Sequence, residues 1–144
     1  MSRAPIHYID LRTFCYSTES FEKVKAAFNQ VIPQDQEINI EEIEGNFGNE
    51  IKILKLRVKK SRKIRDLTNE IKSRINEDEL KRLKSELPVR LDDNCSLFIR
   101  FNKQRAYKED LELTDSGNAI VLRFKIAAYP AKREKALEIA KEIF

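Results

Sequence analysis

One histidine, two cysteines, three glycines and no tryptophan occur among the 144 residues. These scarcities exclude several chemistries. A zinc site needs a spaced set of Cys and His ligands, and no such spacing occurs. GxGxxG and GxxxxGK[ST] are both absent, so no glycine-rich phosphate loop is encoded. Cys15 and Cys95 are too few for a disulfide scaffold. Each sits in a strand-like, apolar context and reads as a small buried hydrophobe with a free thiol. No run approaches the ~18 apolar residues of a membrane span, and no apolar signal core opens the chain. A cytoplasmic protein is expected. His7 has no nucleophile beside it and reads as structural. Asp92-Asp93-Asn94 is too short for a calcium loop and reads as a turn. No catalytic residue, metal or cofactor is expected.

Charge is plentiful: 36% of residues are Asp, Glu, Lys or Arg, yet the net charge is only +4. Any case for a polyanionic partner therefore rests on where the cations lie. Seven of the eleven residues from Lys55 to Arg65 are basic and none is acidic. That run begins on an alternating, strand-like stretch and crosses Ser61, a good helix N-cap. It ends on a stretch of helical period. The segment before it is acidic, with Asp35, Glu37, Glu41, Glu42, Glu44 and Glu50.

Hydrophobic residues make up 41% of the chain, enough for one domain spanning 1–144. Ile6–Tyr16 reads as a first strand. Ser17 or Thr18 caps a first helix carrying Phe21, Val24, Phe28 and Val31, which Pro33 ends. Ile38–Ile43 and Ile51–Val58 form a hairpin around Gly45-Asn46-Phe47-Gly48-Asn49. Centring it on Phe47 sets Ile40 against Leu54, Ile38 against Leu56, Ile43 against Ile51, Glu42 against Lys52 and Glu37 against Arg57. Its apolar pattern changes parity partway, which predicts a local twist or bulge. A second helix follows Ser61, with Ile64, Leu67, Ile71 and Ile75 on one face. A third is capped by Asn76 and Glu79 and closed by Pro88. Strands at Leu97–Phe101, Leu111–Leu113 and Ile120–Ile126 follow, with a helical turn at Lys103–Tyr107. A last helix opens at Pro130. The order β-α-β-β-α-α-β-β-β-α predicts an α+β two-layer sandwich: a mostly antiparallel sheet with helices on one face. Phe21, Phe28, Leu67, Ile71 and Ile139 should pack against that face.

Pairing within the hairpin would neutralise Lys52 and Arg57. Lys59, Lys60, Arg62, Lys63 and Arg65 are left over. They crowd a helix N-terminus, where cations are unfavourable and anions bind. Arg100, Lys103 and Arg105 form a second basic group, interleaved with Phe98, Phe101 and Tyr107, a mixture suited to single-stranded or looped RNA. Arg123, Lys125, Lys132 and Arg133 form a third.

Several segments together resemble a known family. They are Ile6-His7-Tyr8-Ile9-Asp10-Leu11-Arg12-Thr13-Phe14-Cys15-Tyr16, Glu44-Gly45-Asn46-Phe47-Gly48-Asn49, Arg100-Phe101-Asn102-Lys103-Gln104 with Tyr107, and Ala127-Ala128-Tyr129-Pro130-Ala131-Lys132-Arg133. They are similar to the archaeal conserved RNA-binding family of predicted exosome subunits. Asn46 stands where many members have histidine, and Asn102 where they have aspartate. The resemblance implies a fold like that of the 5S-rRNA-binding ribosomal protein of the large subunit. It implies no established catalytic residue. The expected function is non-catalytic binding of structured or single-stranded RNA, linked to ribosomal RNA or to an RNA-processing complex. Lys59, Lys60, Arg62, Lys63, Arg65, Arg100, Lys103 and Arg105 would hold phosphates, and Tyr107 would stack. The alternative is an accessory subunit whose basic face docks an acidic protein.

Overall fold

A computed structural model describes residues 5–33 and 36–144; Asp35 of the acidic segment lies outside the described residues. The first strand, β1 (Ile6–Cys15), holds the centre of a five-stranded antiparallel sheet. It is flanked by β3 (Glu50–Val58) on one side and β5 (Ala119–Ile126) on the other. The edges are β2 (Asn39–Glu44) and β4 (Ser96–Asn102), giving the order β2-β3-β1-β5-β4.

Strict alternation gives the sheet two unlike faces. Ile9 and Leu11 of β1, Leu54 and Leu56 of β3, Leu97, Ile99 and Phe101 of β4, and Ile120, Leu122, Phe124 and Ile126 of β5 point to one side and are buried. Three amphipathic helices supply apolar stripes for that side: α1 (Phe21–Asn29), α2 (Ser61–Arg74) and α5 (Arg133–Ile143). A fourth, α3 (Glu77–Arg90), packs against both β4 and α5. One short helix, α4 (Lys103–Tyr107), leads out of β4 and packs on α1. This is the expected α+β two-layer arrangement. Phe28, Leu67 and Ile71 are buried, and Phe21 and Ile139 are partly buried against the same core.

The β2–β3 hairpin has the predicted register, with Glu42 opposite Lys52, Ile40 opposite Leu54 and Ile43 opposite Ile51. Gly48 takes φ 77° in its turn, a conformation glycine adopts without strain. The register is continuous, so the parity change marks no bulge; Ile43, Ile51 and Ile53 simply face the other side of the sheet. The paired part of β2 starts at Asn39, so the expected partnerships of Ile38 and Glu37 fall outside the ladder.

Other boundaries differ for local reasons. Ser20, two or three residues later than expected, caps α1 by accepting from the Lys23 amide at 3.3 Å. Ser61 is the first residue of α2 rather than its cap; Lys60 holds the cap position with no side-chain capping bond. Pro88 does not end α3, which continues to Arg90. The ring removes only the bond to Lys84, and that side of the helix is exposed to water. Leu111–Leu113 contributes one isolated bridge, Phe101 with Leu113. The last helix begins at Arg133, not at Pro130. Both thiols are free and buried.

Candidate nucleic-acid interface

Among the described residues no helix covers the second face of the sheet, and its side chains form rows across the strands. One row reads Asn39, Lys55, Arg12, Val121 and Arg100 from edge to edge. The adjacent row reads Arg57, Asp10, Arg123 and Phe98. Tyr8 and Phe14 extend the same side of β1, with Lys125 opposite Tyr8. Cations and aromatic rings from four strands thus share one surface, with Asp10 at its centre.

Asp10 organises its neighbours. Arg57 donates to its two oxygens at 2.6 and 2.9 Å, and Arg123 donates to Oδ2 at 2.6 Å. Burial opposes ionisation of this carboxyl, but the hydrogen bonds from Arg57 and Arg123 override it and hold its pKa below the ordinary value. The Arg57 guanidinium also lies over the Tyr8 ring, 3.9 Å from the centroid. Arg57 is therefore neutralised from the neighbouring strand and not by Glu37 within the hairpin. Lys55 pairs with Glu41 at 2.7 Å. Arg12 has no carboxylate partner among the described residues and stands 5.5 Å from the Phe14 centroid.

The basic run forms a ridge where β3 leaves the sheet. Val58 is opposite Ile9. The chain then turns through Lys59 and Lys60 into α2, whose first turn contains no acid. Lys59, Lys60, Arg62 and Arg65 are exposed and Lys63 is half-buried. Among the described residues none of the five is in an ion pair. The unbonded amides of a helix N-terminus and these cations both favour an anion.

The second basic group is divided. Arg100 is half-buried on the uncovered face. Lys103 is buried, so it does not belong to a surface: its ammonium donates to the Phe14 carbonyl at 2.7 Å and to Glu19 at 3.0 Å. Arg105 is exposed but held by Glu112 at 2.7 Å and Asp110 at 3.7 Å. Tyr107 is exposed, with the Lys23 ammonium 6.0 Å from its ring centroid. Asn102 accepts from the Arg105 amide at 2.9 Å, capping α4. In the third group, Lys125 donates to the Asn94 carbonyl, while Arg133 donates to the carbonyls of Pro88 and Leu91 at the end of α3. Lys132 is exposed.

Sequence reasoning missed Arg12, Tyr8 and Phe98 as members of one surface. The alternation of Tyr8, Asp10, Arg12 and Phe14 with Ile9, Leu11 and Thr13 was a readable sign that these side chains share a face. Their neighbours come from strands distant in sequence, and that pairing carried no local signal. His7 is exposed. Among the described residues no group of three His, Cys, Asp or Glu side chains could hold a metal ion, and no helix is long and apolar enough to cross a membrane.

Residues 8–126 match a protein family described as RNA binding. The chain belongs to this RNA-binding family. It is 31% identical over 141 residues to RNA-binding protein PAB1135 of Pyrococcus abyssi, covering 94% of this chain and 92% of that one. The crystal structure of protein AF2318 from Archaeoglobus fulgidus superposes with a TM-score of 0.88 at 31% identity, over 96% of this chain and 99% of that one. Mth689, a DUF54 protein from Methanothermobacter thermautotrophicus, gives 0.80 at 37% identity, over 96% and 97%. These sources are archaea, which supports an archaeal origin for this family member.

Proposed function

We propose that this chain is a non-catalytic RNA-binding protein of the cytoplasm, acting on ribosomal RNA or within an RNA-processing complex such as the exosome. One observation carries this reading. Five cations without carboxylate partners among the described residues, from Lys59 to Arg65, follow directly on β3, a strand of the uncovered sheet face that mixes guanidinium groups with aromatic rings. Phosphates would sit on the ridge, and the sheet would receive the adjoining sugar and base. Membership in an RNA-binding family supports the same partner.

A salt titration of fluorescent single-stranded and structured RNA tests it. Each phosphate contact to a single strand contributes about −0.7 to the slope of log affinity against log salt. Four or five contacts predict a slope of about −3. A folded protein that binds no RNA at low salt would instead support an accessory subunit whose basic face docks an acidic protein. Crosslinking and sequencing of the RNA bound in cells would identify the target, and neither ribosomal nor exosome-processed RNA among the products would refute the assignment to those machineries.

A further inference from the structure

The two rows of the uncovered face border a recess of about 370 Å³, within the range of small-ligand sites. It runs from Asn39 on one edge strand to Phe98 on the other. Four strand spacings of about 4.8 Å make that roughly 19 Å. Four cations and a single carboxylate line it. Three of these cations are already engaged, Arg57 and Arg123 by Asp10 and Lys55 by Glu41. Arg12, on the central strand, is the lining cation without such a partner among the described residues. Phe98 is a half-buried ring at the far wall. Arg123, on the strand between Arg12 and Phe98, is held in place by Asp10, so its guanidinium needs little ordering on binding.

This combination suits neither a bare anion nor a double helix. An anion alone has no use for Phe98. The bases of a duplex are stacked inside it and reach a recess only if flipped out. Arg12 and Phe98 lie two strand steps apart, about 10 Å across the sheet, a span that one arginine side chain and one nucleotide can bridge.

Building on the RNA reading above, we propose that this recess takes one unstacked nucleotide of single-stranded RNA, with its base on Phe98 and its phosphate on Arg12. The experiment compares a single-stranded RNA with a duplex of equal phosphate number, using wild type, Phe98→Ala, Phe98→Leu and Arg12→Gln. Phe98→Leu keeps apolar bulk and removes the aromatic face. Both Phe98 variants should weaken single-strand binding about tenfold and leave the duplex within about twofold. Arg12→Gln should weaken the single strand as well. Photo-crosslinking with 4-thiouridine in the single strand should label the peptide carrying Phe98. Should Phe98→Ala unfold, Phe98→Leu and the crosslink decide the matter. Unchanged single-strand affinity in Phe98→Leu, or adducts confined to the Lys59–Arg65 ridge, would overturn the nucleotide site while leaving RNA binding in place. Wild-type protein that binds neither RNA would overturn both.

Discussion

The Arg57 guanidinium is held by two residues of β1 at once: it lies 3.9 Å from the centroid of the Tyr8 ring while its Nε donates to Oδ1 of Asp10 at 2.6 Å. A cation so held cannot sample the rotamers of a free surface arginine. Among the described residues positive charge is thus of two kinds, fixed around Asp10 on the sheet and without a carboxylate partner at Arg12 and on the ridge.

Asp10→Asn should loosen the fixed kind. These groups are partly exposed and their pairing is screened, so the loss should be about 1 kcal/mol. That corresponds to a fall of roughly 3–5 °C in Tm for a domain of this size. The folded protein holds the Asp10 proton less tightly than the unfolded chain does, because Arg57 and Arg123 bond to the ionised form. The contribution of Asp10 is therefore complete above the unfolded carboxyl pKa of about 3.9. It is lost as pH falls through the lower folded value. Denaturant melts should show a constant gap between wild type and Asp10→Asn from about pH 5 to 8 that closes on further acidification.

Replacing Arg62, Lys63 and Arg65 together by Gln should weaken RNA binding at least tenfold, about 1.4 kcal/mol. Exposed changes of this kind cost within about 0.5 kcal/mol each, so the fold should survive. Three lost phosphate contacts should also flatten the salt slope by about 2. Lys52→Gln with Arg57→Gln should do clearly less to affinity, since Arg57 is bonded to Asp10 and the Lys52 ammonium sits 4.7 Å from the Phe21 centroid. Equal losses in the two variants would show that pairing does not govern availability.

Lys103→Met should act in the opposite way. Removing the buried ammonium takes the side-chain donor from the Phe14 carbonyl and leaves Glu19 with the Tyr16 amide alone. An unsatisfied buried group costs about 1–3 kcal/mol. Thermal melts should register that loss, while RNA affinity per folded molecule stays at the wild-type value.

Neither cysteine should react while the protein is folded. Burial, with the Glu19 carboxylate nearby, raises the Cys15 thiol pKa and suppresses the reactive thiolate. Alkylation with iodoacetamide, followed by mass spectrometry, should track unfolding across a denaturant series. Rapid labelling in native buffer would contradict the burial.

The sequence made the layers legible because burial imposes period on each element separately. Leu97, Ile99 and Phe101, or Ile64, Leu67 and Ile71, reveal their face without reference to anything distant. The hairpin was legible to the residue, since a tight turn dictates register. Arg57 shows where this reasoning ends. The inferred hairpin register set Glu37 opposite it, yet it bonds to Asp10, 47 residues away on β1. Lys103 shows a second limit. A lysine among cations looks solvated until the fold brings a carbonyl and a carboxylate to its ammonium.

The strand order also governs how the sheet comes together. The β2–β3 hairpin joins neighbours in sequence, whereas β1 must find β5, with Asp10 opposite Arg123 at a separation of 113 residues. Contacts of such long range fold slowly, because the loop must close before the pairing rewards it. During synthesis at about 5–20 residues per second, β1 would leave the ribosome several seconds before β5. Its edge would stay open for that interval, a template for stray pairing of the kind that exposed strand edges invite. Delivery of Arg123 to Asp10 is thus among the late events of assembly, and it fixes the charged centre of the uncovered face in the same step.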